Sequence, residues 1–206
     1  GNSLLISGVT IVAVVLIGAA AAWGFGRSQS RAMQVAYYII TLSILIPPSL
    51  IPTIYLLRYL QVEGSTLGYI LVLIGTRIGI VVFLATGFVR ALPPDIEDAA
   101  FIDGASRLQV FFQIMLPLLA PVLFVGSIIL VITVWGDFFF AIFLLPGSQK
   151  ATLPLALFSF ATSSVQSFRW NLVFAHVVLS SLPLILAYVF LQRRIVGGLT
   201  EGALKG

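Results

Sequence analysis

The chain has 206 residues, 60% of them hydrophobic and only 9% charged, with a formal net charge of +4. A soluble domain carries roughly a quarter of its residues as charges, so a mean hydropathy of +1.13 excludes a water-facing globule and leaves the bilayer as the solvent that fits. The eleven Lys and Arg are scattered between apolar blocks, which argues against a nucleic-acid face, and the absence of cysteine with a single histidine, His176, excludes disulfides and a Cys/His metal cluster.

A spanning helix needs about 20 mainly apolar residues, and five segments qualify, so the predicted fold is an all-α polytopic membrane protein. Residues 3–25 form the first span; they are too long for a signal peptide and lack its basic leader and cleavage site. Residues 33–57 form the second, interrupted by Pro47, Pro48 and Pro52. Such prolines kink a packed membrane helix or break it to line a cavity or a hinge, and a kinked, continuous helix is the expectation. The third span covers residues 67–89, the fourth 118–145 and the fifth 172–191. Short joints connect them, except at 90–117 and 146–170.

Orientation follows from the excess of Lys and Arg in cytoplasmic loops. With 90–117 in the cytoplasm, Arg27, Arg31, Arg90, Arg107, Arg193, Arg194 and Lys205 share that side. Lys150, Arg169 and Arg58 fall opposite. The C-terminus is then cytoplasmic, and five spans put the first residue outside, which points to a sixth, N-terminal helix missing from this sequence.

The polar loop holds four of the seven acids, Asp95, Glu97, Asp98 and Asp103. Pro93 and Pro94 end the third span and pre-set the first turn of a new helix. The acids of that turn complement the helix dipole. Ala99 and Ala100 continue it with little bulk, and Gly104 stops it, as a residue free to adopt positive φ does. Ser106 followed by Gln109 is a capping-box pattern, opening a second short helix that carries Leu108, Phe111, Phe112 and Met115 at near-helical spacing. Pro117 marks entry to the fourth span. A helix-turn-helix of this kind either seats in a partner's groove, with small residues allowing close approach and Phe111 and Phe112 as anchors, or packs beneath its own spans. The residues alone leave the two readings level.

The loop resembles the EAA loop of membrane-spanning subunits of binding-protein-dependent ABC importers: EAA, three residues, G, nine residues, I, any residue, LP. Here Asp98-Ala99-Ala100, Gly104, Ile114 and Leu116-Pro117 keep every spacing. Asp98 replaces the glutamate, one methylene shorter, beside Glu97. AAFIDGAS, WGDFFFAIFLL at 135–145, TLPLALFSF at 152–160 and the ending QRRIVGGLTEGALKG are similar to the MalG-like carbohydrate permeases over nearly the whole chain.

That resemblance implies a transmembrane domain at 1–195, with a coupling loop at 91–117, and a cytoplasmic tail at 196–206. It implies that Glu97, Asp98, Ala99, Ala100, Asp103, Gly104, Ala105, Leu108, Phe111, Ile114 and Pro117 dock on a cytoplasmic ATPase, present in two copies. Thr200, Glu201 and Lys205 of the tail would reach the same ATPase, and 146–170 would touch an extracytoplasmic sugar-binding protein. A sister permease would complete a heterodimer in the bacterial inner membrane. No G-x-x-x-x-G-K-[ST] loop occurs, since Lys150 and Lys205 do not follow glycine. No cofactor is therefore expected in this chain; ATP and Mg2+ would bind the partner ATPase.

Charge at bilayer depth costs about 2.5–3.5 kcal/mol on insertion scales, which singles out Arg77 and Asp137. With Trp135, an aromatic able to stack on a sugar ring, and Asn171, they are candidates for the substrate pathway. Asp137 pairing with a neighbouring helix or subunit is the plainer alternative, and for His176 a packing role is expected over a ligand or relay role. Two other functions compete. An ion-coupled transporter using Arg77, Asp137 and His176 would show inverted repeats, which are not visible. A membrane enzyme would need a catalytic triad, paired carboxylates or a metal cluster, and none is present. An ABC permease for a non-sugar solute is the nearer alternative.

Overall fold

The computed structural model describes residues 1–46, 48–147, 150–163 and 170–203, with side chains described as far as Val189 apart from Ser163. Every regular element among them is helical. They are α1 (Asn2–Arg27), α2 (Arg31–Leu42), α3 (Leu50–Tyr59), α4 (Thr66–Ala91), α5 (Asp95–Ile102), α6 (Arg107–Gln109), a π-helical segment (Val110–Met115), α7 (Leu116–Trp135), α8 (Phe139–Leu144), α9 (Leu153–Ser163) and α10 (Trp170–Ala203). Four described stretches are long and apolar enough to cross a membrane: Asn2–Arg27, Thr66–Ala91, Arg107–Trp135 and Trp170–Val189.

The expected second span is where sequence and structure differ. It is two helices, α2 and α3, of 12 and 10 residues, each too short to span. Pro48 lies in the gap between them, and Pro47 lies outside the described residues. A proline pair removes two N–H donors and pushes the preceding residue out of the α region, so the helix breaks instead of kinking. Pro52 is tolerated because it falls in the first turn of α3, where backbone N–H groups lack intrahelical partners anyway. The expected fourth span is also divided: α7 stops at Trp135, and Gly136, Asp137 and Phe138 separate it from α8.

The chain forms two compact units. The first takes the described residues of 1–11, 48–74 and 128–192. Its core gathers Ile6, Leu57, Tyr69, Leu73, Val134, Phe140 and Leu144. Polar ties secure its edge: Leu153 N–H donates to Ser3 Oγ at 2.7 Å, and Lys150 Nζ donates to Gly64 O at 2.9 Å. Arg58 makes two hydrogen bonds to Glu63, 2.8 and 2.9 Å long, just beyond α3. These bonds hold the Glu63 carboxyl below its ordinary range. Any stability they add is present above the ordinary glutamate pKa and lost on acidification through the lowered one; both groups are exposed, so it is small.

The second unit takes the described residues of 12–47, 75–127 and 193–206. Within it Phe25, Tyr37 and Val82 are buried together, and the Arg90 guanidinium lies 4.9 Å above the centroid of the Tyr37 ring. Here α1 and α4 approach through small residues, the device that packs helices where lipid supplies no hydrophobic drive between them.

Candidate functional site

The hairpin between α4 and α7 is built from two local signals. Asp95, Glu97 and Asp98 occupy the first turn of α5, after Pro94. At its other end Gly104 has φ +85°, the left-handed region. Ala105 N–H donates to Ala100 O at 3.0 Å and Gly104 N–H to Phe101 O at 3.1 Å, the paired bonds of a Schellman stop. The next helix opens on a complete capping box: Gln109 N–H donates to Ser106 Oγ, and Ser106 N–H to Gln109 Oε1 at 2.8 Å. Both ends of the turn are thereby satisfied by residues within five positions.

The second arm does not end before the fourth span, as the sequence suggested. It runs through the π-helical segment into α7, with Leu116 N–H bonded to Phe111 O, five residues back. Pro117 follows at once; it has no N–H, and its ring would press on the Gln113 carbonyl in an α-helix. Widening the preceding turn relieves that conflict.

The hairpin has two faces. Asp98, Ala99, Asp103, Gly104, Leu108 and Pro117 are exposed, and Ala100, Ala105 and Ile114 half-buried. Ile102 and Leu108 are 85% and 71% exposed, beside the acids of the hairpin. Ile102 is an addition to the expected set; it is the last residue of α5, immediately before Asp103 and Gly104. Glu97 and Phe111, by contrast, are buried and turn toward α1. Trp23 Nε1 donates to Glu97 Oε2 at 2.7 Å, and Arg27 Nε to Glu97 Oε1 at 2.7 Å. Arg27 Nη1 reaches Leu92 O, 3.0 Å away, and the Trp23 ring stacks on Phe111 at 5.9 Å and 22°. A cleft of about 440 Å³ opens beside them, lined by Trp23, Arg27, Ser28, Glu97, Phe101 and Arg107 among others.

The other expected residues are dispersed. Trp135 is buried, and its Nε1 donates to Ser180 O at 3.1 Å. Asp137 is buried in the break after α7, where its Oδ1 accepts from Tyr69 Oη at 2.9 Å. Arg77 lies half-buried on α4, and Asn171 is exposed at the start of α10. The His176 ring stacks on Phe160, 6.4 Å away. Thr200 and Glu201 fall in α10, which continues to Ala203; their side chains lie outside the described residues, as does Lys205 entirely. Arg169, counted for orientation, is outside them too.

The Tyr69–Asp137 bond is open to measurement. Tyr69 is 1% exposed, and a hydrogen bond to a charged group contributes about 1.5–3 kcal/mol. Tyr69→Phe keeps the ring and deletes the donor, so thermal unfolding in detergent should shift to lower temperature by a matching amount. An unchanged midpoint would show that the bond adds nothing.

Residues 10–200 match the family described as binding-protein-dependent transport system inner membrane component. The melibiose/raffinose/stachyose import permease protein MelC of Bacillus subtilis (strain 168) is 32% identical over 209 residues, covering 100% of this chain and 75% of that one. The trehalose transport system permease protein SugB of Mycobacterium tuberculosis (strain CDC 1551 / Oshkosh) is 31% identical over 207 residues, 100% of this chain and 76% of its own. Among solved structures, a chain of a bacterial ABC transporter involved in the import of the acidic polysaccharide alginate shares the fold. Its TM-score is 0.77 at 21% identity, over 93% of this chain and 72% of that one. Four apolar spans, a capped hairpin between two of them, and a match running from within α1 to within α10 lead to one assignment: this chain belongs to the binding-protein-dependent transport system inner membrane components.

Proposed function

We propose that this chain is a permease subunit of an ATP-driven importer, forming part of the path for a sugar delivered by an extracytoplasmic binding protein. The sugar class, a di- or oligosaccharide or a related carbohydrate, is drawn from relatives that are permeases for melibiose, raffinose and stachyose, and for trehalose. The observation that carries the reading is the capped hairpin with its outer face of Ile102, Gly104 and Leu108 bare. Large aliphatic side chains left open beside acids suit a partner's groove. With no phosphate-binding loop in the sequence, that partner is the ATPase, present in two copies and holding ATP and Mg2+. A sister permease completes a heterodimer, the C-terminus is cytoplasmic, and the tail with Thr200, Glu201 and Lys205 reaches the ATPase. Asp98, Ala99, Ala100, Asp103, Ala105 and Ile114 complete the docking arm, while Trp135, Asp137, Asn171 and Arg77 remain the pathway candidates. ATP-driven closure of the ATPase pair then shifts the permease between inward- and outward-open states.

Gly104→Val tests it. A Cβ there meets nothing within 4 Å, so the cost within the chain is the left-handed backbone alone, about 1–2 kcal/mol. Co-purification with the ATPase and sugar uptake in proteoliposomes should fall roughly tenfold or more, the scale of a lost coupling energy. Ile102→Asp should do the same with no backbone strain. Normal ATP-driven uptake by both variants would remove the docking role. Uptake that collapses with the proton gradient while ATP is supplied would replace the reading with an ion-coupled one.

A further inference from the structure

Glu97 stands next to Asp98 in the first turn of α5, yet the two acids do different things. Successive helical residues point about 100° apart. Asp98 is exposed, whereas Glu97 is 6% exposed and spends both carboxylate oxygens on Trp23 and Arg27. Trp23 and Arg27 are four residues apart, so they share one face of α1. That single turn of α1 holds three separate pieces of the hairpin. Arg27 and Trp23 hold α5 through Glu97, Arg27 Nη1 holds the joint between α4 and α5 at Leu92 O, and Trp23 holds the second arm through Phe111.

The connectivity gives this a mechanical meaning. The hairpin is joined by chain to α4 on one side and to α7 on the other, so both follow it directly. No short stretch of chain joins it to α1: 70 residues separate Arg27 from Glu97. A desolvated ion pair is poor evidence of stability for its own sake, and its best-attested use is fixing one arrangement of two elements.

We propose that Trp23, Arg27 and Glu97 form a clasp of positioning residues through which the hairpin drives α1, so that displacement of the docking arm moves three membrane helices, not two. This rests on the reading of the hairpin as the ATPase contact. It assigns Glu97 to the inner face, away from that partner, and leaves Asp98 as the acid of the docking face. Phe111 likewise serves as the clasp's ring partner, leaving Ile102 and Leu108 to the outer face.

The test compares Glu97→Gln, Arg27→Gln and Arg27→Lys in the full complex with its ATPase, sister permease and binding protein, in proteoliposomes. Gln at 97 still accepts from Trp23, and Lys at 27 still pairs with Glu97. Both Gln variants should co-purify with the ATPase in normal amounts, while sugar imported per ATP hydrolysed falls roughly tenfold; Arg27→Lys should restore most of it. Loss of ATPase co-purification in Glu97→Gln, with Arg27→Gln unaffected, would place Glu97 against the partner and overturn the clasp while sparing the docking role. A normal import-to-hydrolysis ratio in both Gln variants would also overturn it, as would failure of both to accumulate with no rescue of coupling by Arg27→Lys. Gly104→Val, run in parallel, reports on docking itself: if it assembles and transports normally, the proposed function fails, whatever the clasp variants do.

Discussion

Gly26→Leu is expected to prevent α1 from seating on α4. A Cβ at Gly26 would lie 2.8 Å from Val89 Cβ and closer still to its Cγ1, and one at Gly18 would lie 2.8 Å from Val81 Cγ1. Gly18, Ala22 and Gly26 recur every four residues, facing a helix on which Val81, Ala85 and Val89 recur at the same interval. Ala22, Val81, Ala85 and Val89 are at most 1% exposed. This is small-xxx-small packing, in which dispersion between close backbones replaces the hydrophobic drive that lipid cannot supply. Val89 is 0% exposed and its Cβ, which no rotamer change moves, is already within 2.8 Å of the new Cβ, so four added carbons must separate the helices or distort them. Overpacking of this kind costs about 1–3 kcal/mol and occasionally more, and leucine at the tightest point belongs at the upper end. The yield of monodisperse protein in detergent and its thermal midpoint should both fall. Gly87→Leu, on the exposed side of α4 with nothing within 4 Å of the new Cβ, should change neither. Equal behaviour of the two variants would show that the α1–α4 approach is not tight.

Glu97→Ala is expected to be the next most damaging change. It strands the Arg27 guanidinium and the Trp23 N–H in a setting where side-chain exposure is 23% for Arg27 and 8% for Glu97 itself. Breaking a buried pair by removing one partner costs about 3–5 kcal/mol, and the partial exposure of Arg27 puts this case near the lower figure. Asp98→Ala, one residue along and exposed, removes only a helix-dipole interaction, about 0.3–1 kcal/mol. The contrast between neighbouring acids is the test, read as thermal midpoints of the two variants. The double variant Arg27→Leu with Glu97→Leu should recover much of the loss, because replacing both partners leaves no orphaned charge. A Glu97→Ala protein as stable as Asp98→Ala would mean that the carboxylate is solvated after all.

The sequence carried whatever depends on near neighbours or on mean polarity. Hydropathy placed the spans at α1, α4, α7 and α10 because a helix satisfies its own backbone, and in lipid that alone determines the element. The turn at Gly104 and the cap at Ser106 were legible because their hydrogen bonds close within five residues. The second span was expected as one kinked helix because a proline in an apolar run is most simply absorbed by packing against neighbours. The sequence does not show whether the chain instead breaks, as it does between α2 and α3. The π-helical turn before Pro117 was missed because Leu108, Phe111, Phe112 and Met115 suit an α-helix just as well.

Tertiary structure alone decided which way the hairpin's side chains face. Glu97 and Asp98 are alike in sequence, and only Trp23 and Arg27, 74 and 70 positions away from Glu97, make one of them structural. Trp135 and Asp137 stood out as polar or aromatic groups in an apolar run, but their engagement with Ser180 and Tyr69 belongs to helices 45 and 68 residues distant. Local chemistry fixes where the chain is helical and where it turns, since those energies are settled within a few bonds. Which charges are buried, and against what, depends on how distant helices meet, and one helix's residues do not contain that information.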